Sequence, residues 1–180
     1  MIVNNLNLLS KPDSNLLIED LLRPFKININ YLPKAIRELF DHQEKMSNVL
    51  RRRVGEIEVE KISQENRHGT LMRFVKIKNQ KKCVIFAFIK IYLNELNPEI
   101  TRRLLDPEEK KPFGIILEEK NIKTKGEVKE FYRINPPYNK FLARSDFNLE
   151  KVIWGRKNLM YYSLGTRPIA EVFEFYQENS

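Results

Sequence analysis

Two apolar, β-prone runs, "TLMRFVKIK" (residues 70–78) and "CVIFAFIKIYL" (residues 83–93), are separated by the four polar residues "NQKK". A gap that short admits an antiparallel hairpin and nothing else, because parallel neighbours need a crossover of about a dozen residues or more. The same texture surrounds the pair. "EIEVEKIS" (56–63) alternates apolar and charged residues as a half-exposed strand does, and "VKEFYRI", "KVIWGRKNLMYYSL" and "RPIAEVFEFY" are strand-like again, the last two joined by a turn at Gly165 and Thr166. Strands arriving as adjacent hairpins specify an α+β domain with a single antiparallel sheet and exclude a parallel doubly wound fold. Helical signals occupy the intervals: "NLLIEDLL", capped by Asp13 or Ser14 and ended by Pro24, then "PKAIRELF", "KMSNVLRRR", "NPEITRRLL" and "KPFGIILEE".

The last strand-like run carries a problem of charge. Strand side chains alternate faces, so Glu171 travels with Ile169, Phe173 and Phe175, while Glu174 travels with Ala170, Val172 and Tyr176. Whichever face is buried takes a carboxylate with it, and a buried carboxylate needs a partner. Arg73 is the mirror image: in "TLMRFVKIK" it shares a face with Leu71, Val75 and Ile77. Two readings answer both observations. Arg73 pairs with Glu171 or Glu174 across the sheet as a structural ion pair, or Arg73 clamps an anionic ligand inside the core while a glutamate faces its other end.

Composition narrows the partners. At 180 residues and 42% hydrophobic content, the whole chain is expected to form one domain with a proper core. The net charge of +8 suits an anionic partner. Cys83 stands alone, which excludes an intramolecular disulfide and fits a reducing compartment. His42 and His68 lie far apart beside no other ligand types, and the chain has no phosphate loop, nucleophile elbow or dinucleotide fingerprint, so neither metal nor cofactor is expected. There is no signal-peptide pattern and no run long enough to span a bilayer, and the expected location is the cytoplasm. The run "RRRV" (51–54) invites a nucleic-acid reading, with RNA binding through Arg51, Arg52 and Arg53. It lacks interleaved aromatics, however, and arginines at a helix end also complement the helix dipole, so no nucleic-acid partner is expected.

Five short motifs stand in a telling order: "KMSNVL" (45–50), "LMRFVKI" (71–77), "KKPFGIIL" (110–117), "WGR" (154–156) and "RPIAEVFEFY" (167–176). Together, over roughly residues 40–177, they resemble the chorismate pyruvate-lyases and their shorter relatives. The resemblance implies an antiparallel sheet with helices outside it, enclosing a small buried ligand cavity behind two helical flaps. It also implies an enzyme, a carbon–oxygen lyase converting chorismate to 4-hydroxybenzoate and pyruvate without metal or organic cofactor. On that view Arg73 binds the ring carboxylate, and Glu174 contacts the hydroxyl that survives in the product and assists proton removal. Met46 and Ser47 contribute contacts from a flap, Phe113 covers the ring and Gly114 follows it. The interval from "WGR" to the final proline is longer here by two residues, so the glutamate position falls on Glu174 or Glu171; Glu174, preceding "FYQE", is the choice. Phe113 stands where the family usually has a smaller apolar residue.

The same fold also serves bacterial transcription regulators as an effector-sensing domain, which binds a small molecule and catalyses nothing. Those regulators carry a winged-helix domain in front, for which the first 40 residues here are too short, so the alternative takes the form of a stand-alone binder. Either way the expected partner is a small anionic aromatic or pre-aromatic molecule, chorismate or 4-hydroxybenzoate.

Overall fold

The computed structural model describes residues 17–80 and 82–178, and the expected cap at Asp13 or Ser14 lies outside them. Helix α1 (Leu17–Leu22) leads through a 3-10 turn to the two-residue strand β1 (Lys26–Ile27). Helices α2 (Lys34–Phe40) and α3 (Met46–Val54) precede a meander of β2 (Glu58–Arg67), β3 (Thr70–Asn79) and β4 (Lys82–Tyr92). Helices α4 (Pro98–Leu105) and α5 (Phe113–Glu119) precede a second meander, β5 (Thr124–Ile134), β6 (Ile153–Tyr162) and β7 (Pro168–Tyr176). The two meanders meet at β4 and β7, giving one antiparallel sheet in the order β1-β5-β6-β7-β4-β3-β2.

The expected α+β architecture is therefore the observed one. Strand β1 and the 3-10 segment Tyr138–Ser145 are additions. Two residues of strand are too few to leave a period in a sequence. The hairpin turns show how the local chemistry closes the meanders. His68 (φ 48°) and Gly69 (φ 81°) both take the left-handed conformation that a tight two-residue hairpin turn requires, whereas at the β3–β4 turn Gln80 takes a positive φ of 55° without a glycine.

Both faces of the sheet are covered. On the inward face α2 and α3 pack Ile36, Leu39, Phe40, Val49 and Leu50 against Val75, Ile77, Ile85 and Trp154. Beside them α4 and α5 pack Ile100, Leu104, Ile116 and Leu117 against Leu71, Ile91, Met160 and Ala170. The outward face carries Phe86, Phe88, Phe173 and Phe175, buried with Tyr132, Leu142 and the α1 residues Ile18 and Leu22. Cys83 is half-buried at the margin of this face, and burial pushes its thiol up to about 12, which leaves it protonated and unreactive at neutral pH. No helix among the described residues is long and apolar enough to cross a membrane.

Phe173 sits at the centre of the β4–β7 join, opposite Phe88 in the register, with ring centroids 6.0 Å apart. It is fully buried. Phe173→Ala is expected to cost about 3–5 kcal/mol in denaturant unfolding, from lost transfer energy and the cavity left behind. A loss below about 1 kcal/mol would mean that this face is not closely packed.

Candidate functional site

The register of the central strands sets two rows of side chains across the inward face. One runs Arg73, Ile89, Val172, Asn158, and the next Val75, Ala87, Glu174, Arg156. Above them, in the seam between the two helical core clusters, lies a cavity of about 50 Å³. Its walls include the first turns of α3 and α5 as well as the sheet. Met46, Ser47, Arg73, Phe113, Gly114 and Glu174, the residues marked by sequence motifs, all border it, together with Lys45, Lys111 and Asn158.

Arg73 does not pair with either glutamate. Its strand is separated from that of Glu174 by β4, and the two positions are one row apart, which at standard strand spacing puts their Cα atoms roughly 12 Å from each other. Its Nε instead donates to Gln64 Oε1 at 2.7 Å and its Nη2 to the Leu104 carbonyl. Both partners are neutral. The residue is only 3% exposed, and no carboxylate among the described residues forms an ion pair with it. Burial pushes the guanidinium down to about 10, with the charge of Glu109 opposing, so it remains protonated at neutral pH. Arg73 is thus a buried cation on the wall of a cavity, with the charge of Glu109 acting on it and no carboxylate among the described residues in ion-pair contact.

Glu174 has a counter-ion, and it is one that reading the sequence passed over. Arg156 Nε donates to Glu174 Oε2 at 2.5 Å, with both side chains buried. A signal existed: from Trp154, a period of two through Arg156, Asn158 and Met160 places this arginine on the same inward face. Glu171 points to the opposite face. It accepts a hydrogen bond from Tyr92 Oη at 2.6 Å and lies 3.4 Å from Lys157 and 3.8 Å from Lys90. Those contacts hold its carboxyl below the usual range although burial works against them.

Two neutral polar atoms on the cavity wall lack partners. Ser47 Oγ and Asn158 Oδ1 are buried without a hydrogen bond among the described residues. Ser47 is held close by the approach of α5, where a Cβ at Gly114 would stand 2.6 Å from Ser47 Oγ. At the start of α3 no side chain caps the free backbone N–H groups, so the first turn also presents donors there. Three cations, Lys45, Arg73 and Lys111, border the cavity with one carboxylate, Glu174; Glu174 is paired with Arg156, and Lys111 with Glu119 at 2.5 Å. In the arrangement observed, 50 Å³ is too small for an aromatic ring, since a dry cavity that takes up benzene measures about 150 Å³. Of the "RRR" run, Arg51 lies 3.3 Å from Glu118 and Arg52 2.7 Å from Glu44, so two of the three arginines are engaged with carboxylates.

No protein-family profile matches the chain, and no curated protein matches it in sequence. Solved structures do match in fold. The ligand-binding domain of a protein assigned to the GntR family of transcriptional regulators, from Bordetella bronchiseptica, superposes with a TM-score of 0.50 at 13% identity, over 69% of this chain and 91% of that one. The effector domain of PhnF from Mycobacterium smegmatis gives 0.50 at 8% identity, over 68% and 81%. The full PhnF chain gives 0.52 at 8%, over 74% of this chain and 64% of that one. The chain thus shares the chorismate lyase-like fold. The expectation of a lyase is overturned by these matches, which are the ligand-binding domain of a regulator, the effector domain of PhnF and PhnF itself.

His42, at the end of α2, gives this region a pH signature. Its Nε2 lies 2.7 Å from the Leu39 carbonyl, which requires the Nε2–H tautomer, and Nδ1 is buried with no partner among the described residues. Burial, then the charge of Arg156, lowers its pKa from 6.5, with Glu174 and Glu44 opposing. Because the folded imidazole refuses a proton that the unfolded one accepts, its contribution to stability is complete above pH 6.5 and declines as pH falls below it. His42→Gln should flatten the fall of melting temperature between neutral pH and about pH 5.5; an unchanged slope would remove His42 as its source.

Proposed function

We propose that this domain is a non-catalytic receptor for a small anionic molecule, of the effector-sensing type, with Arg73 as the anchor for the ligand's negative group. The observation that carries the reading is the state of Arg73: charged, buried, bonded only to neutral oxygens and bordering a cavity. An uncompensated cation in an apolar wall costs several kcal/mol, and a carboxylate or phosphate in the cavity would offset that cost through a charge-assisted, two-pronged contact. Ser47 Oγ and Asn158 would complete the polar contacts. Phe113, Met46 and Val172 supply apolar walls suited to a ring or short hydrocarbon frame. Glu174 lies along the next row from Arg73 and would meet a hydrogen-bond donor, such as a hydroxyl, at the ligand's other end. A small aromatic acid of the 4-hydroxybenzoate kind has both features. The shared fold with the PhnF effector domain supports sensing over catalysis.

Isothermal titration with 4-hydroxybenzoate, benzoate and the methyl ester of 4-hydroxybenzoate tests the reading. The two acids should bind and the neutral ester should not. Arg73→Gln, checked for folding by near-ultraviolet circular dichroism, should weaken the acids by a factor of ten or more, the order expected for one lost charge-assisted bond, roughly 1.5–3 kcal/mol. Equal binding of acid and ester, or equal binding by wild type and variant, would sink it.

A further inference from the structure

The connection between α2 and α3, Asp41–Lys45, runs directly into Met46 and Ser47 on the cavity wall, and one side chain holds its leading end down. Arg156 is fully buried. Its Nη1 donates to the carbonyls of Phe40 at 2.7 Å and His42 at 3.3 Å, where the end of α2 leaves carbonyls without helical donors. Its guanidinium lies 5.7 Å from the centroid of the Phe40 ring. A further hydrogen bond, from the Gly126 backbone N–H of β5 to the Gln43 carbonyl at 3.1 Å, docks the middle of the connection. The approach there is close enough that a Cβ at Gly126 would stand 2.8 Å from that carbonyl oxygen.

We infer that Arg156 is a positioning residue that makes this connection a lid answering to Glu174. The guanidinium is a rigid fork, so the carboxylate that fixes its Nε edge also aims Nη1 at the two lid carbonyls. Glu174 borders the cavity on one side and holds Arg156 on the other, which makes it the link between occupancy and lid. A ligand that draws on the Glu174 carboxylate weakens its hold on Arg156 and with it the grip on Phe40 and His42. Arg156 Nη2, buried with no partner among the described residues, is a spare donor to which the fork can turn when that hold changes. A ring does not fit 50 Å³ with the walls as observed, so part of the lining has to move, and the connection leads into Lys45, Met46 and Ser47 of that lining. This inference rests on the cavity being the ligand site.

Amide hydrogen exchange on the unliganded chain tests it, comparing wild type, Glu174→Gln, Arg156→Lys and the double variant. The readouts are the Gly126 amide and the amides of residues 42–47, with the Leu93 amide, bonded to the Gly69 carbonyl at 2.8 Å, as a control outside the lid. Glu174→Gln, which removes one charge and almost no volume, should accelerate exchange at Gly126 roughly ten- to a hundredfold and leave Leu93 unchanged. The double variant should be no faster than the faster single one, because the two residues act as a unit. Unchanged lid exchange in Glu174→Gln, equal acceleration at Leu93, or additive effects would each overturn the inference. If Arg156→Lys does not fold, Glu174→Gln decides alone. No ligand is added, so this result is independent of the titration: a failed receptor shows there, a failed lid here.

Discussion

The pairing of β4 with β7, from Phe86 opposite Phe175 to Ile91 opposite Ala170, is the constraint on which the site depends. It joins two meanders that are otherwise separate units of sheet, one carrying Arg73 and the other Glu174, Arg156 and Asn158. It also sets parity. A slip of one residue would turn every β7 side chain to the other face, bringing Glu171 onto the cavity wall and sending Glu174 to the outer side. The aromatic residues prevent that slip. Phe173 and Phe175 belong with Phe86 and Phe88 on the outward face, and an inverted β7 would turn its two rings away from them against the wrong layer.

Two arginines lie buried on the inward face, and their treatment separates structure from function. Arg156 is provided with a carboxylate, two carbonyls and an aromatic ring, the company a buried guanidinium needs if it is to help hold a fold. Arg73 has an amide oxygen, one carbonyl and an open side. Glu174 connects the two, since its charge is used by Arg156 and its position is on the cavity. Glu174 therefore touches both the buried guanidinium and the cavity.

Much of this was legible in the chain. The hairpin at residues 70–92, the strand before it, the helix beginnings at Lys34, Met46, Pro98 and Phe113, and the inward set of Arg73 with Val75 and Ile77 all follow from local period and turn chemistry. The simplest answer to Arg73 and the two glutamates, an ion pair, failed because a strand lies between the two charges. Arg156 went unremarked although its period was visible, and with it the real partner of Glu174. The lyase reading failed in a similar way: short motifs can report a fold and the residues around a cavity, while the use of a carboxylate depends on what stands next to it.

The sequence by itself determined the kind of each element and which of its side chains share a face, because helical and strand periods are properties of neighbouring residues. Only the tertiary structure decided that β7 lies between β4 and β6, that Glu174 meets Arg156 across 18 residues of chain while Arg73 pairs with no carboxylate among the described residues, and that α3 and α5 close over them. Those outcomes are set by strand order and by packing between distant segments, and no local pattern encodes the distance between two charges on different strands.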